Sequence, residues 1–388
     1  MVDALIFHER MTMRYPKPLE QNGVIGLIAP SFGAATQPYI TGLDEAEKAW
    51  KSLGYRHHEY GCARKAEGTG ISSLPEVCAQ EVNQAFSDDV SDVLISVGGG
   101  ELMCEVMSYV DFDLLKKAEP KWFMGYSDNT NLGFLLATLC DTASIYGPCA
   151  PAFGMDVWHK NLYDCFDILT GKYLDAGDSS QEPASFCLKS YGLWEADSLR
   201  DEFNPTLPYN TTEPLSLRCY ESRAQCVELD GPYADESKCV MWEKLGIHME
   251  GRVLVGCLDV LATLIGTRFD KVAEFCETYK QDGIIWALES CELSPIQVRR
   301  VLWQMAEAGW FDGAAGFIFG RPYLYEEQEF GLNQKDAILT ALSNAGIDAP
   351  VILDVDLGHL PPAMPFVCGS YISVDADQDE LSLITKFI

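Results

Sequence analysis

An α/β protein built around a parallel sheet covered on both faces is what this sequence predicts. Short apolar runs alternate with amphipathic stretches of helical length through the first part of the chain and again through the last. The apolar runs do not alternate with polar residues, as a strand buried on both faces requires. At 388 residues, with 47% hydrophobic and 22% charged residues, the chain is long enough for two domains around a sizeable core.

The elements follow in order. "VIGLIAPS" (24–31) reads as a buried strand, and "LDEAEKAWKSLG" (43–54) as an amphipathic helix ended by Gly54. "LPEVCAQEVNQAFSD" (74–88) is a second helix, with Pro75 in its first turn. "VSDVLISVGGG" (90–100) is a strand running into glycines, "LMCEVMSYV" (102–110) a helix, "KWFMG" (121–125) a strand and "NTNLGFLLATLC" (129–140) a helix. From about 175 to 250 the chain is polar, acidic and weakly periodic, and reads as a linker with loops or short strands. Regular structure resumes with a strand edge and helix over 252–267, a strand ending in an acid over 283–290, and a helix over 294–309. Ser294, Pro295 and Gln297 are the start signals of that helix. A strand (314–322), a helix (333–346), a strand (350–359) and a hairpin (371–385) complete the chain.

Composition excludes several functions. Twenty-eight Lys and Arg stand against 58 Asp and Glu, a formal net charge of −30. Such a chain lacks the basic face that nucleic-acid backbones and anionic membranes need, although one small phosphate-bearing substrate is not excluded. The first 23 residues lack the pattern of a signal peptide, and no apolar run reaches the ~18 residues of a membrane span. A cytoplasmic protein is expected. The fourteen cysteines are scattered without a CxxC pair, so reduced core thiols are expected rather than a disulfide framework. Six histidines without a ligand cluster give no support for a metal.

Three polar residues stand at the ends of separate expected strands: Ser127, Glu289 and His359. A serine hydroxyl needs a base to take its proton, a neutral imidazole does that near neutral pH, and a carboxylate fixes the tautomer and stabilises the imidazolium. Of the six histidines only His359 follows a clear strand, directly after Gly358; Glu292, in the turn after Glu289, is a rival acid. "GYSDN" is close to the G-x-S-x-G elbow, with Asn129 in place of the last glycine. An elbow there puts the Asp128 N–H at a helix start, as one donor to an oxyanion. "VGGGE" (97–101) offers a second donor, with Gly99 the choice and Gly98 or Gly100 the alternatives. These glycines are not a dinucleotide fingerprint, because Met103 stands where its last glycine belongs.

The run from "VGGGE" through "GYSD" to "YGP" (97–148), with "IGLIAPS", "ALES" (287–290), "GRP" (320–322) and "LGHLPPAMP" (357–365), closely resembles the LD-carboxypeptidase and microcin C self-immunity serine peptidases. The resemblance covers most of 20–170 and 250–388. It implies a Rossmann-like, class I glutamine amidotransferase-like N-terminal domain (1–175) holding the nucleophile. It also implies a linker and variable substrate loop (176–250) and a smaller β-rich C-terminal domain (251–388) holding the acid and base. It implies a homodimer without metal or organic cofactor, and a Ser127, Glu289, His359 triad with its oxyanion hole at Asp128 and a glycine of 98–100. Two substrates are implied by the two subgroups: a cell-wall tetrapeptide losing terminal D-alanine, or a peptidyl-nucleotide losing its acyl group. Val97 stands where the carboxypeptidases carry an arginine, and with "YGP" this resembles the self-immunity subgroup. That subgroup stacks the nucleobase on an aromatic of the variable loop, for which Trp194 is the candidate and Tyr191 the second. Gly98 and Gly100 are further substrate contacts on this reading. For a free terminal carboxylate the available cations are Arg299, Arg300 and Arg321. A non-catalytic binder on the same fold is the alternative from a different class.

Overall fold

The computed structural model describes residues 12–173, 183–224 and 239–388. The N-terminal expectations on residues 1–11, and part of those on 175–250, lie outside the described residues. Two sheets organise the chain. The first contains β1 (Val24–Ile28), β2 (Arg56–Glu59), β3 (Val93–Ser96), β4 (Phe123–Gly125) and β5 (Ser144–Tyr146). β5 also pairs, antiparallel, with a strand from far along the chain, Phe366–Cys368. The order is that strand, then β5, β4, β3, β1 and β2, and the five N-terminal strands run parallel.

The apolar runs account for the buried strands: Ile25, Leu27, Leu94, Ile95, Phe123 and Met124 are all at most 1% exposed. β2 was not expected, because "RHHE" carries no apolar run; it survives as an edge strand paired on one side only. Helix α1 (Tyr39–Ser52) buries Leu43, Ala46 and Trp50 and begins four residues before the apolar pattern does. Helix α2 (Pro75–Ser87) starts where Pro75 signals. The helix expected over 102–110 shortens to Met103–Val106, because Asp111 accepts from the Leu114 amide at 2.9 Å and caps a new helix, Phe112–Lys117. Helix α3 (Thr130–Cys140) follows β4 through one turn of 3₁₀ helix.

Among the described residues the second sheet has nine strands. In chain order they are β6 (Ser185–Lys189), β7 (Arg218–Ala224), β8 (Cys239–Lys244), β9 (Gly246–Cys257), β10 (Ile284–Glu289), β11 (Ala314–Gly320), β12 (Val351–Val355) and, after Phe366–Cys368 (β13), β14 (Tyr371–Asp377) and β15 (Leu381–Lys386). Their order is β8, β7, β12, β11, β10, β9, β14, β15, β6. Strands β6, β7 and β8 come from the stretch read as linker. They occupy the two ends of the sheet, where alternately exposed polar residues are tolerated and no continuous apolar run is required. The centre, β9 to β12, is parallel. Helix α4 (Pro295–Glu307) has the expected start, with the Ser294 amide donating to Gln297 Oε1 at 2.9 Å. Helix α5 (Gln334–Asn344) is capped by Asn333.

One hydrophobic core runs through both halves. Phe134 of α3 stacks on Trp310 at 5.7 Å and on Trp286 of β10 at 6.4 Å, so the face of α3 turned from the first sheet closes on the second. The Cys257 amide, at the end of β9, donates to Thr130 Oγ1 at the start of α3, 3.1 Å away. These contacts bring the carboxyl ends of β4 and β10 together. Among the described residues no helix is long and apolar enough to cross a membrane.

Candidate active site

Strand β4 ends at Gly125, and two residues on the backbone of Ser127 takes φ +62°. A non-glycine residue in that region costs on the order of 1–3 kcal/mol and is kept only where surrounding structure enforces it. Asn129 helps enforce it: its Nδ2 donates to the Gly98 carbonyl at 2.8 Å and to the Tyr126 carbonyl at 3.1 Å. The residue that breaks the G-x-S-x-G pattern therefore ties the elbow to the glycine loop. Asp128, 3% exposed, does the same from the other side. Its carboxylate accepts from Ser31 Oγ (2.6 Å), the Met103 amide (3.0 Å) and Asn131 Nδ2 (3.0 Å). Burial nevertheless pushes this carboxyl up, against the pull of those donors.

Gly99 is the glycine that faces the hydroxyl. A Cβ there would lie 3.2 Å from Ser127 Cβ and 3.3 Å from Ser127 Oγ. Gly98 backs onto the Phe32 carbonyl and Gly100 onto Ser31 and the Gly70 carbonyl.

Glu289 closes β10 and is 1% exposed. Its Oε2 accepts from His359 Nδ1 at 2.8 Å and its Oε1 from the Tyr146 hydroxyl at 2.5 Å. Burial works against both charges, but the Glu289 charge and the hydrogen bonds that the ring gives to Cys291 and Glu289 push the His359 pKa well above its ordinary range. The imidazolium and hydrogen bonds from His359, Tyr146 and Cys257 hold the Glu289 carboxyl below its own. With Nδ1 engaged, Nε2 is the nitrogen left for chemistry. Strand β12 stops at Val355, so His359 sits four residues beyond it and not at its end as the sequence suggests. Gly358, at φ +104°, makes the approach: a Cβ there would lie 2.6 Å from Glu289 Oε2. The imidazole lies beside Tyr126, the residue before Ser127, with ring centroids 5.1 Å apart. Among the described residues the Ser127 hydroxyl has no direct hydrogen bond to the ring, a contact that commonly closes only around substrate. Glu292 is exposed, and what is held there is its amide, by Asp259 at 2.8 Å.

Comparison with known proteins places the chain in a family. The model of the LD-carboxypeptidase N-terminal domain matches residues 25–147, and that of the LD-carboxypeptidase C-terminal domain matches residues 250–374. The chain belongs to the LD-carboxypeptidase family of serine peptidases, S66. It is 22% identical over 315 residues to the microcin C7 self-immunity protein MccF of Escherichia coli, covering 80% of this chain and 78% of MccF. The structure of MccF in complex with glutamyl sulfamoyl guanosine superposes with a TM-score of 0.71 at 19% identity, over 96% of this chain and 99% of that one. The muramoyltetrapeptide carboxypeptidase of Oxalobacter formigenes superposes with a TM-score of 0.62 at 18% identity, over 94% and 98%.

In this S66 peptidase the ladder of Leu193–Trp194 with Glu213–Pro214 stands near the His359 loop, because the Glu195 amide donates to the Pro361 carbonyl at 2.8 Å. Trp194 has the Arg321 guanidinium 5.1 Å from its ring and the edge-on ring of Tyr325 at 5.4 Å. Tyr191 is committed elsewhere, its amide to Asp356 (2.8 Å) and its hydroxyl to Asp164 (3.0 Å). Arg321 is 4% exposed, paired with Asp356 and bonded to the Asp354 carbonyl. Arg299 and Arg300 of α4 line a groove with Trp303 and Phe330, and Trp194, Tyr191 and Arg321 are not in its lining. Beside the glycine loop, burial and the neighbouring Glu292, Asp128 and Asp259 carboxylates push the Glu101 carboxyl up, so this rim is acidic.

Sequence reasoning gave no role to Tyr146, to Ser31 or to the side chain of Asp128. Their partners lie 143 and 97 residues away along the chain, where no local pattern reaches. For Tyr146 the available signal was a hydroxyl ending the apolar strand "SIY".

Proposed function

We propose that this S66 peptidase works through Ser127, His359 and Glu289 and cleaves the amide or acyl bond that joins a small peptide or aminoacyl group to a modified nucleotide. Ser127 Oγ attacks the scissile carbonyl while His359 Nε2 takes its proton. Glu289 holds the ring and balances the imidazolium. The Asp128 and Gly99 amides receive the developing oxyanion. The imidazolium then protonates the leaving nitrogen or oxygen, and water, deprotonated by His359, hydrolyses the acyl-enzyme.

The observation that carries the mechanism is the buried 2.8 Å Glu289–His359 pair beside a serine at positive φ whose hydroxyl faces Gly99. The substrate reading rests on the likeness to MccF and on the arginines. A free terminal carboxylate needs an unengaged guanidinium, whereas Arg321 is held by Asp356 and Arg299 and Arg300 stand in another groove. Trp194, backed by Arg321, is the candidate platform for the base. The likeness to the Oxalobacter formigenes enzyme favours a second reading, release of terminal D-alanine from muropeptides.

Incubation with glutamyl sulfamoyl adenosine and, separately, with muramyl tetrapeptide distinguishes the two by mass spectrometry of the products. Release of glutamate from the first is expected, and Ser127→Ala should abolish it in a protein with unchanged circular dichroism. Release of D-alanine alone would transfer the protein to the second reading. Full turnover by the alanine variant would remove Ser127 as nucleophile.

A further inference from the structure

Tyr146 touches both halves of the site. Its hydroxyl donates to Glu289 Oε1 at 2.5 Å and accepts from the Ser127 amide at 3.3 Å. The side chain is 5% exposed and sits at the last position of β5, beside the elbow. The carboxylate therefore has the imidazole on Oε2 and the phenol on Oε1. We propose that Tyr146 is a positioning residue of this peptidase: its hydroxyl fixes the plane of the Glu289 carboxylate, anchors the Ser127 backbone in its positive-φ turn, and sets how strongly Glu289 draws the proton onto His359. The proposal rests on the triad reading above.

Two physical consequences follow. A carboxylate free to rotate about its terminal torsion lets the imidazole swing, and a phenol on the second oxygen removes that freedom. A donor on Oε1 also draws charge from Oε2. Without it Oε2 holds the Nδ1 proton more tightly and the imidazolium persists to higher pH. The groups facing this network are Tyr146, Cys257 and His359 around Glu289, and Glu289 and Cys291 around His359. The phenol is not itself an acid near neutrality, since burial and the Glu289 charge push it well above its ordinary range. Hence the titration that moves is that of His359.

The test uses the full chain and diisopropyl fluorophosphate, which reports on Ser127 without knowledge of the substrate. The second-order inactivation rate is measured from about pH 5 to 10 for wild type, Tyr146→Phe, Glu289→Gln and the double variant, each checked by circular dichroism at the assay temperature. Tyr146→Phe should react on the order of ten to a hundred times more slowly, the loss expected for one hydrogen bond to a charged group. Its acidic limb should move to higher pH by about half a unit or more. In the Glu289→Gln background the same change should slow the rate by no more than about threefold, because one of its two partners is gone and only the bond from the Ser127 amide remains to be lost. A folded Tyr146→Phe with unaltered rate and limb would overturn the proposal, and so would full additivity in the double variant. Labelling that survives Ser127→Ala would instead overturn the triad reading on which the proposal rests.

Discussion

At Gly358 the backbone stands at φ +104° with no room for a methyl group, because Glu289 Oε2 would be 2.6 Å from it. Gly358→Ala should therefore cost on the order of 1–3 kcal/mol from backbone strain alone. Displacement of His359 should slow turnover about a hundredfold or more; a melt and a labelling rate within error of wild type would contradict this. The His359 charge makes a second prediction. Its folded pKa lies above the ordinary 6.5, so the folded protein holds this proton more tightly than the unfolded chain. The stability this supplies is complete below about pH 6.5 and is lost as pH rises through the folded value. Glu289 behaves oppositely. Its carboxyl is depressed from 4.5, and its contribution is present above that value and lost as pH falls through the lowered one. The melting difference between wild type and His359→Gln should thus be greatest between about pH 4.5 and 6.5 and shrink in alkali. Activity should run the other way and rise with pH as the imidazolium becomes a base. A flat difference across pH 5 to ~9 would show that the pair is not ionised in the fold.

The elbow is an element whose shape is imposed by three segments. Asp128 alone holds Ser31 after β1, Met103 after the glycine loop and Asn131 in α3. Asp128→Ala should leave those donors unmatched in a buried place and cost about 3 kcal/mol, read as a lower denaturant midpoint with unchanged slope. Labelling of Ser127 should also slow at least about tenfold as the turn relaxes. Normal labelling in a destabilised variant would show that the elbow keeps its shape without this clamp. The elbow and the strand-end acid are legible because both are local: an apolar run, then a polar residue where a sheet ends. Gly358 marks the approach of His359 even though β12 ends four residues earlier. What was not legible is set by pairing. The sequence "RHHE" becomes a strand because β1 offers it an edge, and 185–189 becomes one because β15 does. Tyr146 is an ordinary buried strand residue until the fold supplies Glu289, 143 positions later. Chemistry that a residue type announces can be read along the chain, but chemistry that exists only as a contact cannot.

Across the whole molecule, the two halves share one core and exchange a strand, since β13 leaves the second half to pair with β5. Ser127 follows a strand of one sheet and Glu289 ends a strand of the other, so the proposed site exists only when both have formed. The charge acts at the same scale. The chain carries a net charge of −30, and at the site burial together with the Glu292, Asp128 and Asp259 carboxylates raises the Glu101 pKa. A peptidyl-nucleotide or its acyl-sulfamate analogue is an anion near neutral pH, and its encounter with such a surface is opposed at long range. That repulsion extends ~30 Å at 0.01 M salt and only ~8 Å at 0.15 M. Raising salt over this range should therefore increase kcat/KM for the anionic substrate several-fold, through association and not through kcat. Diisopropyl fluorophosphate is neutral and has no such barrier, so its labelling rate should stay within about twofold. If kcat/KM for the anionic substrate is unchanged or falls with salt, the long-range field does not govern encounter and a local cation guides the substrate in. Arg321, backing Trp194 behind Asp356, would then be the first side chain to replace.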